Sequence, residues 1–273
     1  YVPSSAASSS SSIPVLFDVH GYNTCATLLP YYTRWRQIAA REGFIVVWPM
    51  GTEDLAGQSN NVPSWNAGRC CGAARSANID DVGFLRSAIT TVLAAHSNID
   101  SSRVYFSGHS NGCMMAQRMA YEASDLVAAV GCFAGYLSMT SSWQTTISTP
   151  SGYTPTSVMF IQGTSDSSVQ WSGAFRNLGY WRQLNQCPGT TYTTTSGTGY
   201  SVHTHAGCAD GSETAVVELP GVGHWPYYGS QLSGWGVCGA GCAPVDTTEM
   251  AWNFVRRFGM PSSPMSPPLM PPS

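Results

Sequence analysis

Short apolar runs alternate along this chain with segments of helical periodicity, and this alternation constrains the fold more than any other feature. Runs that have the composition of strands buried on both faces are Pro14–Gly21, Gly43–Pro49, Arg103–Ser107, Leu126–Gly135, Thr156–Gly163 and Glu213–Gly221. Helices are predicted over Tyr31–Arg41, from Asp80 or Asp81 through Leu93, and over Asn111–Tyr121, Ala174–Cys187 and Thr247–Phe258. Strands that alternate with helices predict a mostly parallel sheet with helices on both faces.

Four segments depart from this alternation. Residues 50–78 are rich in Gly, Asn and Cys and have no periodicity, which predicts a long surface loop that walls a functional site. Residues 190–207 have the composition of an exposed hairpin. The Ser-rich segment 1–13 is expected to be flexible, and the Pro-rich tail 260–273 to be disordered. Residues 14–259 are therefore predicted to form one domain.

Charge and cysteine content narrow the class of protein. All twelve basic residues are Arg, the net charge is −3, and no run of 18 apolar residues occurs, so neither nucleic acid nor a membrane is an expected partner. Nine Cys without Cys-x-x-Cys or zinc-type spacing predict disulfides and a secreted, extracellular protein that needs no metal. Because the chain begins at Tyr1 and has no signal peptide, we expect a processed or excised piece.

One predicted strand and helix are joined by the sequence Gly-His-Ser-Asn-Gly, from Gly108 to Gly112. The pattern Gly-x-Ser-x-Gly alone is weak, but a tight turn between a buried strand and a helix is the context of a nucleophile elbow. Small residues at both ends let the strand and helix approach closely, and the serine hydroxyl then projects from the sheet edge. Ser110 is the predicted nucleophile.

A serine hydroxyl needs a base and an acid that orients the base. His224 directly follows the last strand and lies among Gly residues, whereas His203 and His205 fall in the predicted hairpin. Asp166 lies three residues beyond the strand that ends at Gly163. Asp125 comes too early in the chain and Asp210 lies in the hairpin. The order Ser110, Asp166, His224 is that of α/β-hydrolases.

The oxyanion of an acyl-transfer intermediate needs N–H donors that are already in place. The backbone N–H of Asn111 is one candidate, and the N–H of Tyr22, after the first strand, is the other. His20, in the same loop, is interpreted as an anchor of that loop. Four residues near the predicted site are expected to form the substrate pocket: Trp65, His109, Trp171 and Trp225.

Several stretches resemble secreted polyhydroxybutyrate-depolymerase-like esterases, a family that includes the feruloyl and acetylxylan esterases of carbohydrate esterase family 1. The stretches are LFDVHGYNT, REGFIVVWPMGT, SWNAGRCCGAA, NIDDVGFLRSAI, GHSNGCMMAQRMA, IQGTSDSSV and GVGHWP. The resemblance covers roughly residues 14 to 258. It implies the α/β-hydrolase fold, no cofactor, and Ser110, Asp166 and His224 as nucleophile, acid and base.

The same resemblance bears on individual positions. Tyr1 to Pro3 resemble the end of a strand, so one or two preceding strands are expected to be missing. Gln162 stands where relatives often carry His, and Cys113 where they usually carry Gly. The resemblance also implies a disulfide between Cys187 and Cys208.

The remaining cysteines leave several pairings open. Cys238 and Cys242 are close enough in the chain to pair locally. Five others leave one thiol over whichever way they pair: Cys25, Cys70, Cys71, Cys113 and Cys132.

The resulting hypothesis is a secreted, monomeric serine esterase that acts through an acyl-enzyme and needs no cofactor or metal. The candidate substrates are polyhydroxybutyrate-type polyesters and feruloyl or acetyl esters of polysaccharides. Two alternatives are a peptidase on the same fold, which would use the same three residues, and a catalytically inactive module that binds a polymer. An intact nucleophile, base and acid argues against the inactive module.

Overall fold

The structure is a computed structural model and describes residues 1–53, 62–141, 144–228 and 242–260. Eight strands form one sheet in the order β2-β1-β3-β4-β5-β8-β7-β6. Their bounds are β1 Ile13–Val19, β2 Ile45–Val47, β3 Ile99–Gly108, β4 Ala129–Phe133, β5 Ser157–Gly163, β6 Thr193–Gly197, β7 Tyr200–His205 and β8 Thr214–Leu219. The first six strands of this order pair in parallel, and β7 and β6 extend the sheet as an antiparallel hairpin. The predicted, mostly parallel sheet is confirmed.

Helices cover both faces of the sheet. Their bounds are α1 Ser4–Ala7, α2 Leu29–Tyr32, α3 Trp35–Glu42, α4 Gly72–Ser76, α5 Asp81–Ala95, α6 Asn111–Glu122, α7 Ala174–Leu184 and α8 Thr247–Val255. One apolar core contains residues of α5, α6 and α7, and a second contains residues of α3 and α8. No helix in the described part of the chain is long and apolar enough to cross a bilayer.

Alternate side chains of the central strands enter the two cores. Phe17 of β1 stacks on Phe106 of β3 in the first core, with ring centroids 5.1 Å apart. Their neighbours Leu16 and Tyr105 lie in the second core. Because both faces are buried, these strands are apolar almost throughout, which explains why the sequence shows continuous apolar runs rather than alternation.

Two segments are more ordered than the sequence predicts. The Ser-rich segment 1–13, expected to be flexible, contains α1, where Ala6 is buried and its carbonyl accepts from the Asn98 side chain at 3.0 Å. The region 50–78, expected to be a surface loop, includes α4 and a buried stretch from Ser64 to Ala67. Tertiary contacts made far along the chain order both segments, and local composition does not reveal such contacts. The predicted tail lies outside the described residues from position 261 onward.

The N-terminus pairs with the sheet edge. The Tyr1 ammonium donates to the Val46 carbonyl at 2.8 Å, and the Val46 N–H donates back to the Tyr1 carbonyl at 3.1 Å. At the start of α5, the carboxylate of Asp80 accepts from the Gly83 N–H at 2.9 Å. This contact makes Asp80 the N-cap among the two candidates that the sequence offered.

Candidate active site

Ser110 lies on the turn between β3 and α6 in a strained conformation. Its φ is 54° and its ψ is −118°, a region that non-glycine residues rarely occupy. The Ser110 N–H donates to the Phe133 carbonyl at 2.8 Å, which fixes the turn against the next strand. A Cβ atom on Gly112 would lie 2.0 Å from the Val19 carbonyl oxygen, so only glycine permits this approach of helix to sheet.

Three predicted side chains meet at the carboxyl ends of the parallel strands. Ser110 follows β3, Asp166 follows β5 and His224 follows β8. The Oγ of Ser110 lies 3.0 Å from Nε2 of His224, and Nδ1 of His224 lies 2.8 Å from Oδ2 of Asp166. With a neutral imidazole, the serine hydroxyl donates to Nε2 and Nδ1–H donates to the carboxylate. The arrangement has the geometry by which a base takes a proton from a nucleophile.

Four groups donate hydrogen bonds to Asp166. Its Oδ1 accepts from the N–H groups of Ser168 and Val169, both at 2.8 Å, and its Oδ2 accepts from His224 and from Nε2 of Gln162 at 2.8 Å. Burial by itself raises the pKa of this carboxyl. The hydrogen bonds from His224, Val169 and Ser168 outweigh burial, so the pKa lies below its usual value. Asp166 is therefore a buried, ionised carboxylate.

The two residues whose amides are predicted to bind the oxyanion both belong to segments that adjoin Ser110. Asn111 is the first residue of α6, where a helix leaves its N–H groups without intrahelical acceptors. The loop of Tyr22 lies against the elbow, since a Cβ on Gly21 would be 3.6 Å from Cβ of Ser110. In the same loop, Nε2 of His20 accepts from the Gly51 N–H at 2.8 Å, and Nδ1–H donates to the Gly21 carbonyl at 2.8 Å.

The Asn111 side chain has a role that the sequence analysis missed. Its Oδ1 accepts from the Trp65 N–H at 2.8 Å, and its Nδ2 donates to the Trp65 carbonyl at 3.0 Å. This pair of hydrogen bonds ties the region 62–72 to the elbow. An Asn directly after the nucleophile was the available signal, but its partner is 46 residues away in the chain.

A cavity of about 420 Å³ opens onto Ser110 and His224. Its other walls are Tyr22, Cys70, Cys71, Gly72, Met114, Ser168 and Val169. Cys70 and Cys71 are joined to each other by a disulfide, and both residues line this space. Cys70, Cys71 and Gly72 come from the loop 50–78 that was predicted to wall the site, but the sequence singled out none of the walls individually except Tyr22. The adjacent cysteines in the stretch SWNAGRCCGAA were the one signal in the sequence that pointed to Cys70 and Cys71 as walls.

None of the four residues predicted for the substrate pocket is among the described residues that line this cavity. Trp65 is fully buried, and its indole N–H donates to the His20 carbonyl at 3.0 Å. His109 is buried and stacks on Trp225 with centroids 4.4 Å apart. Trp171 packs against Phe175.

His109 is hydrogen-bonded to the backbone of the loop that carries His224. Its Nε2–H donates to the backbone carbonyl of His224 at 2.7 Å. Burial, followed by the nearby His224, lowers the pKa of His109 to about 3, so the ring is neutral and does not act as a base near neutral pH. It holds the loop that carries the imidazole.

The cysteines pair as follows within the described residues. Disulfides join Cys70 to Cys71, Cys113 to Cys132, and Cys187 to Cys208. Cys25 forms no disulfide there. The suggested pair of Cys238 and Cys242 involves a position outside the described residues.

Comparison with known proteins gives a family match and several structural likenesses. A family model described as esterase PHB depolymerase matches residues 1–151, more than half of the chain. A bifunctional acetylxylan esterase/xylanase of Neocallimastix patriciarum is 24% identical over 231 residues. The alignment covers 83% of this chain but 30% of that protein. The chain thus spans less than a third of the length of this relative.

Solved structures share the fold. The acetyl xylan esterase from Aspergillus awamori has a TM-score of 0.63 at 18% identity, over 82% of this chain and 87% of that one. SOBER1 of Arabidopsis thaliana has a TM-score of 0.56 at 12% identity, over 90% and 99%. The esterase PE8 has a TM-score of 0.54 at 15% identity, over 94% and 96%. The α/β-hydrolase fold predicted from the sequence is confirmed.

Proposed function

The chain belongs to the esterase PHB depolymerase family, and on this premise we propose that it hydrolyses carboxylic esters with Ser110 as nucleophile, His224 as base and Asp166 as acid. The observation that carries the proposal is the continuous line of hydrogen bonds from Ser110 through His224 to Asp166. The family match contains Ser110 but ends before Asp166 and His224. The geometry therefore supports the second half of the site independently of that match.

The proposed reaction has two stages. His224 takes the proton of Ser110 as Oγ attacks the ester carbonyl, and the backbone N–H groups of Asn111 and Tyr22 donate to the resulting oxyanion. His224 then gives this proton to the alcohol as the ester bond breaks, which leaves an acyl group on Ser110. Water attacks the acyl-enzyme while His224 takes its proton, and the free acid departs as the serine is regenerated. Asp166 orients the imidazole and stabilises its positive charge in both stages.

The substrate proposed from these features is an ester with a small acyl group. The cavity next to Ser110 has a volume of about 420 Å³ and mixed walls, namely the Cys70–Cys71 disulfide, Met114 and Val169 beside polar groups. Acetyl and hydroxybutyryl groups both fit within this space, and the names of the relatives point to the same two classes. The three disulfides found among the described residues of the chain support a site of action outside the cell.

The test compares p-nitrophenyl acetate and butyrate as substrates of the wild type and of Ser110→Ala. We expect turnover by the wild type and a fall in kcat of at least about 10⁴-fold in the variant. Ser87→Ala, an exposed serine on α5, is the matched control and should keep the wild-type rate. Equal rates for wild type and Ser110→Ala would contradict the proposal.

Two further assays separate the alternatives. A peptidase would also cleave a p-nitroanilide of the same acyl group at a comparable kcat/KM, whereas the esterase is expected to prefer the ester strongly. An inactive binding module would sediment with polyhydroxybutyrate granules or acetylated xylan but turn over no ester. Either outcome would replace the proposed function.

A further inference from the structure

A second cavity adjoins the proposed active site. It has a volume of about 340 Å³ and shares one wall, Met114, with the cavity that opens onto Ser110. Its remaining walls include Arg69 and Arg176, and no Asp or Glu is among the described residues that line it. Arg69 directly precedes Cys70 of the first cavity, so the two cavities are neighbours at this point as well as at Met114. An extended substrate with its ester at Ser110 would pass over Met114 into the second cavity.

These two arginines differ from most others in the chain. Seven of the twelve arginines form ion pairs with carboxylates among the described residues: Arg34, Arg41, Arg86, Arg103, Arg118, Arg256 and Arg257. The guanidinium groups of Arg69 and Arg176 pair with no carboxylate and donate no hydrogen bond within that same part of the chain. Two unneutralised cations at one cavity, in a protein of net charge −3, attract an anion rather than a neutral group.

Contacts along the backbone place both arginines at the cavity. The Arg69 N–H donates to the Ser138 carbonyl at 2.8 Å. A Cβ on the preceding Gly68 would lie 2.7 Å from that same carbonyl, so glycine allows the two loops to touch. Arg176 lies in the first turn of α7, and a Cβ on Gly173 would come within 3.3 Å of its guanidinium. Ordered loops therefore bring Arg69 and Arg176, 107 positions apart in the sequence, to one space.

We propose that Arg69 and Arg176 form a subsite for a carboxylate on the substrate, one that accepts a negatively charged part of the molecule whose ester lies at Ser110. Guanidinium groups match carboxylates in geometry and form charge-assisted hydrogen bonds with them. Ser138 and Thr140, which also line the cavity, offer hydroxyl groups to the same ligand. This inference deepens the proposed function and rests on it.

A carboxylate of this kind has two chemical sources among the proposed substrates. One is a uronic acid residue on an acetylated polysaccharide chain, and the other is the free acid end of a hydroxyalkanoate oligomer. Each source supplies a matched pair of substrates. The first pair is an acetylated xylo-oligosaccharide with one uronate and the same oligosaccharide with that uronate reduced to the alcohol. The second is a hydroxybutyrate trimer with a free carboxylate and the same trimer capped as a primary amide.

The experiment measures kcat/KM for both pairs and takes the ratio of the charged to the neutral member. We expect a ratio of about ten or more in the wild type for at least one pair, because one hydrogen bond to a charged group strengthens binding by about tenfold or more. The ratio should fall to about one in the double variant Arg69→Gln/Arg176→Gln, and below one in Arg176→Glu, where like charges repel. Arg75→Gln, an exposed arginine of α4 outside both cavities, is the matched control and should keep the wild-type ratio.

A second measurement needs no variant. Raising the salt concentration from about 0.05 M to about 0.5 M should lower the wild-type ratio, because salt screens charges at a partly exposed site. The pair that shows the preference identifies the source of the carboxylate. A wild-type ratio of about one for both pairs, or a ratio that persists in the double variant, overturns the subsite. Failure of the proposed function can be told apart from failure of the subsite. In that case Ser110→Ala would still turn over p-nitrophenyl acetate at the wild-type rate.

Discussion

Ser110 illustrates how single residues define this site. Its positive φ costs on the order of 1–3 kcal/mol relative to an ordinary conformation, and the surrounding structure must offset this cost. The offset comes from the Ser110 N–H bond to Phe133 and from the close contact of Gly112 with β1. The strained turn directs the hydroxyl toward His224. The position and charge of the Asp166 carboxylate, by contrast, depend on its hydrogen-bond donors. One of these donors is the side chain of Gln162, which can be replaced without changing the backbone.

Replacing that donor is the prediction at this scale. Gln162→Leu removes the side-chain N–H that donates to Oδ2 of Asp166 at 2.8 Å. We expect kcat for p-nitrophenyl acetate to fall about tenfold, the effect of one hydrogen bond to a charged group. The pKa of Asp166 should rise, which moves the acidic limb of the kcat/KM profile to higher pH. Gln162→His restores an N–H donor and should recover most of the rate. If Gln162→His restores neither the wild-type kcat nor the wild-type pH profile, Gln162 only fills space beside Asp166.

At the level of elements, a disulfide joins the helix after the nucleophile to the neighbouring strand. Cys113 lies in the first turn of α6 and Cys132 in β4. The resemblance to relatives marked Cys113 as an unusual residue, but the sequence left its partner open among four other cysteines. Pairing depends on which strands become neighbours, and β3 and β4 meet only in the folded sheet. The hairpin carries a comparable bridge, Cys187 to Cys208, far from the elbow.

These two bridges allow a paired prediction. They span 19 and 21 positions, so constraint of the unfolded chain predicts a loss of about 3 kcal/mol in unfolding free energy for either double Ala variant. Only Cys113→Ala/Cys132→Ala should also lower kcat, because it loosens the helix that begins at the nucleophile. Urea denaturation and ester turnover measure the two effects. Either of two results would contradict a role of the Cys113–Cys132 disulfide in holding the nucleophile. One is an unchanged kcat in Cys113→Ala/Cys132→Ala, and the other is an equal loss of kcat in Cys187→Ala/Cys208→Ala.

Across the whole molecule, the parallel sheet explains why much of the site was predictable. Ser110, Asp166 and His224 each follow a buried apolar strand, and the carboxyl ends of parallel strands meet at one edge. The pocket walls were not predictable in this way. The Asn111 side chain holds the backbone of the buried Trp65 across 46 positions, and contacts between loops bring Arg69 and Arg176 to one cavity. Such contacts join distant positions and leave no periodic signal in the sequence.

Stability against pH provides a prediction for the molecule as a whole. Asp18 is fully buried in β1, where the Trp48 indole donates to its carboxyl at 3.0 Å, and burial raises its pKa to about 7. The unfolded chain, with an ordinary carboxyl pKa near 4, loses this proton first. Between about pH 4 and pH 7 the folded state therefore holds one proton more, and its stability falls as the pH rises, by at most about 1.4 kcal/mol per pH unit.

Asp18→Asn removes this titration, since an amide stays neutral and its oxygen still accepts from Trp48. The unfolding free energy of the wild type minus that of the variant should therefore decrease from pH 4 to pH 7 and then level off, because both folded and unfolded Asp18 are ionised above that range. Guanidinium denaturation at intervals of pH measures the difference, in which other titrating carboxyls such as Asp81 cancel. Asp210→Asn, at an exposed turn, is the control. A difference that stays constant with pH would mean that Asp18 is ionised in the folded protein and that its charge is compensated within the fold.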